Sequence, residues 1–108
     1  MTDWRLEEAS NEMGFRDRNE RINTTVTDLT ELVWFICECG DAACVQNINL
    51  TGHEYEAVRQ DATNFAIAHN HENPECEAVV AENDRYTTVT KVYPPARNLA
   101  RQTNPRRG

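Results

Sequence analysis

Cys37-Glu38-Cys39-Gly40-Asp41-Ala42-Ala43-Cys44 lies between two apolar stretches, and its reading decides the fold. Three of the chain's four cysteines fall within it, in the pattern C-x-C-x4-C. Upstream, 32–37 is a continuous apolar run (Leu32, Val33, Trp34, Phe35, Ile36), the length of a buried strand. Downstream, 45–50 alternates Val45, Asn47 and Asn49 with Gln46, Ile48 and Leu50, as a half-buried strand does. Gly40-Asp41 supplies a turn between them. The spacing predicts a hairpin with cysteines at its tip, a zinc-knuckle hairpin.

Working outward, Thr51-Gly52-His53-Glu54 reads as a capping box, so a helix is expected over 52–61 with Tyr55 and Val58 facing inward. A short strand follows over 64–68, with Phe65 and Ile67 on one face. Pro74 marks a break. A second hairpin is expected over 79–83 and 86–93, turning at Asn83-Asp84-Arg85, with Val80, Tyr86, Val89, Val92 and Tyr93 in the core. Toward the N-terminus, residues 3–22 read as a helix rich in charge, with a thin apolar stripe of Phe15, Asn19 and Ile22 and a second of Leu6, Ala9 and Met13. Gly14 invites a bend. Such a helix is either solvated and resting on the core by one end, or waiting for a partner. The fold class is α+β: an N-terminal helix, a small antiparallel sheet with one packed helix, and the zinc-knuckle hairpin. Three regions result: an N-terminal helix over 1–22, a zinc-stabilised α+β domain over 32–93, and a polar C-terminal tail over 94–108, with a short helix over 96–102.

A length of 108 residues suits one small domain, whose core leaves little margin without a staple. The formal charge of -7 disfavours nucleic acid as a general partner, and the C-terminal Arg97, Arg101, Arg106 and Arg107 are read as solubilising. The apolar runs fall short of the ~18 residues a membrane helix needs. Met1 to Glu8 lacks a signal-peptide apolar core, so a cytoplasmic location is expected. In a reducing compartment clustered cysteines point to metal rather than disulfides.

Cys37, Cys39 and Cys44 are the candidate thiolate ligands. The competing reading is three reduced cysteines that hold no ion. For the fourth ligand the candidates are His71, His69, Cys76 and His53, with His71 ranked first on ligand chemistry; spacing alone does not choose. Three thiolates and an imidazole fill a tetrahedral shell and leave no place for activated water, so a Zn2+ ion there would be structural. The cysteines by themselves do not exclude iron. Glu38, Asp41 and Glu77 are read either as solvated carboxylates or as groups that orient the ligands.

Asn19-Glu20-Arg21-Ile22, Phe35 to Asp41 with Cys44, Leu50 to Arg59, His71-Glu72, Pro74-Glu75 and Glu77 with Val79-Val80 together carry a likeness. The chain resembles a family of small uncharacterised bacterial proteins with the pattern C-x-C-G-D-x-x-C … L-T-x-x-E-Y-E-x-V-R … G-H-E-x-P-E-x-E. The resemblance spans 15–92 and implies a common fold and metal site rather than a reaction. It places the family's G-H-E histidine on His71. His69, Asn70 and Cys76 depart from the pattern. The expected function is a zinc-binding, non-catalytic regulatory or protein-interaction module. Its contact surface would be the N-terminal helix and its junction with the sheet, through Phe15 and Ile22, toward a protein partner or a second copy of the chain. The alternative is a small zinc-dependent hydrolase with an open coordination position, assisted by His69, His53 and Glu54.

Overall fold

The computed structural model describes residues 3–106. The chain folds as α1 (Trp4–Asn23), β1 (Leu32–Ile36), β2 (Asn47–Thr51), α2 (Gly52–Arg59), β3 (Asn64–Ile67), β4 (Glu77–Glu82), β5 (Thr87–Lys91) and α3 (Pro94–Gln102). The strands form two small antiparallel sheets, the expected hairpin β1-β2 and the sheet β3-β5-β4. In the first, Val33 faces Leu50 and Phe35 faces Ile48. The sheets meet through the cysteine loop, where the Glu38 N–H donates to the Ala66 carbonyl on β3 at 2.9 Å.

Local chemistry explains the element ends. Asp3 caps α1 by accepting from the Arg5 N–H. Thr51 and Glu54 exchange both bonds of the expected capping box at the start of α2, at 3.1 and 2.8 Å. Pro94 and Pro95 occupy the first turn of α3, where a missing N–H costs nothing. Helix α1 runs unbroken through Gly14, whose surroundings are open solvent.

The core joins Phe35, Ile48 and Leu50 of the hairpin to Tyr55 and Val58 of α2 and to Phe65, Ile67 and Val89 of the second sheet. Phe35 and Tyr55 stack, their centroids 4.5 Å apart. Val80 and Val92, expected inside, are about half exposed, at 53% and 44%. Strand β4 is an edge, bulged between Val79 and Ala81, and from Ala78 to Glu82 it is exposed on both faces, so Val80 is not enclosed.

Helix α1 packs on the core along much of its length rather than by one end. The helix is buried along Ala9, Glu12, Met13, Arg16 and Asn19, a stripe that is mostly polar. Each polar member meets a partner. Arg16 donates to the carbonyls of Ala62 and Ala100 and to the Thr103 hydroxyl. Glu12 pairs with Lys91, which also pairs with Glu77 at 2.8 Å. Asn19 bridges the end of β1 to Glu38. Helix α3, inside the segment expected to be a tail, rests on α1 with Ala96 and Ala100 buried. Arg106 then ties the chain end to Glu20 and Glu56.

Candidate metal centre

Strand β1 ends where Asn19 takes over its edge: the Ile36 N–H donates to Asn19 Oδ1, and Asn19 Nδ2 donates to the Ile36 carbonyl, both at 2.8 Å. The ladder continues one step, with the Cys37 N–H donating to the Gln46 carbonyl. Beyond it the chain leaves regular structure. Asp41 closes the loop by accepting from the Ala43 N–H through its carboxylate and from the Cys44 N–H through its carbonyl. That turn brings Cys44 back to Cys37 and Cys39.

The fourth side chain arrives from beyond β3. The His71 N–H donates to the Ala68 carbonyl, and Asn70 sits in the left-handed region at φ 67. Asparagine tolerates this backbone better than most residues. The bend swings His71 toward the cysteines. Its Nδ1 lies 3.5 Å from Cys37 Sγ and 3.7 Å from Cys44 Sγ. The ligand atoms of Cys37, Cys39, Cys44 and His71 all lie within 4.8 Å of one another, and the group could hold a metal ion. Cys37 and Cys39 are buried, whereas Cys44 and His71 are half-buried.

Crowding polarises the sulfurs. A hydrogen bond from Cys39, with the Ala68 N–H at 3.1 Å, lowers the Cys37 thiol below its ordinary value despite burial. The same bond to Cys37, together with burial, raises Cys39 strongly. Burial raises Cys44. Three sulfurs this close do not all ionise without a cation among them, so metal loading displaces protons.

The other candidate ligands lie outside the group. His69 Nε2 lies 2.7 Å from the Asn83 carbonyl in the β4–β5 turn. Cys76 is buried outside the group, and its carbonyl accepts from the N–H groups of Val92 and Tyr93. His53 is exposed at the start of α2. Glu54 forms a two-pronged pair with Arg85, which holds its carboxyl down at about 2.

The carboxylates also differ from expectation. Glu38 is neither solvated nor turned toward the ligands. Its side chain, 0% exposed, accepts from Arg59 at 2.9 Å, the Ala66 N–H at 2.9 Å and Asn19 Nδ2 at 2.8 Å. Cys37 and Cys39 thus project toward His71 while the residue between them anchors the loop in the core. Glu77 is buried against Lys91. Asp41 is exposed and shapes the turn.

Glu8, Asn11, Asn19 and Arg59 secure the loop; the sequence reading placed Asn19 on the α1 stripe and Arg59 in the likeness, neither beside the cysteines, and did not single out Glu8 and Asn11. Asn11 Nδ2 donates to the Gly40 carbonyl at 3.0 Å. Gly40 has no left-handed backbone to explain it. A Cβ there would lie 1.7 Å from Glu8 Cγ, so glycine leaves room for α1. Compared with family models, curated proteins and solved structures, the chain matches none.

Proposed function

We propose that Cys37, Cys39, Cys44 and His71 bind a structural Zn2+ ion and that the chain is a non-catalytic module of regulatory or protein-interaction type. One observation carries the zinc reading. Zinc bonds of about 2.3 Å to sulfur and 2.0–2.1 Å to nitrogen, at tetrahedral angles, separate those ligand atoms by about 3.5–3.6 Å. His71 Nδ1 stands 3.5 and 3.7 Å from two of the sulfurs. Soft thiolates with one imidazole favour zinc over the oxygen-seeking cations. The likeness to the bacterial pattern whose histidine falls on His71 supports the same four ligands.

Four protein ligands close the shell and leave no position for an activated water, which supports a structural role. The side chains that the hydrolase reading required, His69, His53 and Glu54, are occupied or directed elsewhere. For the interaction role, Ile22 is packed against the core, which leaves Phe15 as the apolar element of the expected surface. It lines a groove with Ser10, Asn11, Gly14, Arg18 and Ala42, between α1 and the metal loop. No helix among the described residues is long and apolar enough to cross a membrane.

X-ray absorption at the zinc edge of the purified protein tests the site. The expected shell is three sulfurs and one nitrogen with no water. A bound water revives the hydrolase, and an iron edge overturns the metal assignment. Stripping the ion should abolish the cooperative thermal transition. Structural zinc is worth ~10 kcal/mol or more in small zinc peptides, comparable to the whole stability of a small domain.

A further inference from the structure

We infer that the carboxylate of Glu8 is the transfer group through which a divalent cation enters and leaves the Cys37–Cys39–Cys44–His71 site; this rests on the zinc reading above. A cleft reaches the ligands from solvent, lined by Glu8, Cys39, Gly40, Asp41 and His71. Two of its walls are ligands and two are carboxylates. Asp41 is exposed at the surface, and Glu8 is half-buried.

The position of Glu8 is built. Asn73 Nδ2 donates to its Oε2 at 2.9 Å. Its Oε1 lies 2.8 Å from where a Cβ of Gly40 would sit, so the absent side chain at 40 is what admits the carboxylate to the cleft that Cys39 and His71 also line. Asn11 holds that stretch of loop against α1.

Charge balance gives no static reason for a carboxylate here. Three thiolates with one Zn2+ already leave the centre with a net charge of about -1, so another negative charge beside it is unfavourable in the loaded state. A cation in transit is different. A hydrated zinc ion must exchange water for protein ligands, and carboxylate oxygen is an accepted intermediate partner at about 2.0–2.2 Å. Negative walls also concentrate cations at the mouth of a cleft, an effect that salt screens.

Exchange of bound zinc against isotopically enriched zinc salt, followed on the folded, loaded protein by native mass spectrometry, tests the inference. Glu8→Gln keeps the shape and the acceptor for Asn73 but removes the charge. It should slow exchange about three- to tenfold at low ionic strength, with the difference shrinking as salt rises. Glu8→Asp, which keeps the charge, should stay nearer wild type. Exchange that is equal or faster in Glu8→Gln overturns the inference, because a static packing role leaves the rate alone or loosens the ion. A slowing that salt does not change overturns it as well. The same spectra separate this failure from that of the zinc reading: a wild-type chain carrying no ion defeats both, whereas a loaded chain with unaltered exchange defeats only the role of Glu8.

Discussion

The Cys–His end of the hairpin and the charged layer around Phe65 are both polar and both largely buried, yet they are assembled in opposite ways. At the first, three of four ligands come from one short loop and the fourth from a single bend at Asn70. At the second, the groups are spread over five elements. Arg16 of α1, Arg59 of α2 and Lys91 of β5 all lie within 5.8 Å of the Phe65 ring centroid. Glu38 of the cysteine loop and Glu77 of β4 answer them, and the Glu12 carboxyl of α1 bonds to Lys91. A metal gathers ligands that are close in sequence and fixes a loop. The charged layer gathers residues that are far apart and fixes the arrangement of the elements. Glu38 belongs to both, since its neighbours in the chain are ligands and its side chain pairs with Arg59.

The largest expected effect comes from cutting that shared residue. Glu38→Ala leaves Arg59 buried without its partner, a loss of about 3–5 kcal/mol, read by denaturant unfolding. Zinc stoichiometry in native buffer should stay at that of the wild type, because the Glu38 side chain does not touch the ligand atoms. If zinc is lost in proportion to stability, the two regions are one unit and the contrast fails.

A subtler break lies at Glu12. Burial raises its carboxyl well above the usual range, against the pull of Lys91. The folded chain therefore holds a proton there that the unfolded chain releases near its ordinary value of 4.5. This contribution is complete below that value and is lost as pH rises through the raised folded one. Glu12→Gln is neutral at every pH, so it should match wild type within about 1 kcal/mol at pH 5 and become relatively more stable toward pH 9. Denaturation midpoints across that range decide it. A variant several kcal/mol weaker at every pH would show instead that an ionised Glu12 is the partner Lys91 needs.

The contrast also explains what could be read from the sequence. Clustered cysteines are rare and their chemistry is narrow, so Cys37, Cys39 and Cys44 stand out, and so does the hairpin that must present them. Turn and cap signals are local, and Thr51 with Glu54 marked the start of α2 for that reason. On the buried face of α1, Ala9, Met13 and Asn19 fall on the expected stripes, whereas Glu12 and Arg16 look like solvated residues until partners 46 to 87 positions away are known. Periodicity counts apolar side chains, and this helix packs through polar ones. Val80 was misplaced because β4 is an uncovered edge, which a run of apolar residues does not announce. Glu8 could not be singled out because its role depends on the missing Cβ of Gly40.

The smallest effect belongs to Asn70, and it asks how far the metal side of the comparison depends on backbone shape. With φ at 67, position 70 holds a conformation that an ordinary L-residue adopts only at a cost of about 1–2 kcal/mol. Asparagine lowers that cost and glycine removes it. Asn70→Ala should therefore lower stability by about 1 kcal/mol, and Asn70→Gly by no more than a few tenths. Neither should change zinc stoichiometry, because the proposed structural ion, at the ~10 kcal/mol of small zinc peptides, would outweigh the bend that aims His71. Loss of zinc from Asn70→Ala alone would mean the bend, rather than the affinity of three thiolates for the ion, brings the imidazole into place. The local region would then depend on chain geometry as heavily as the charged layer does.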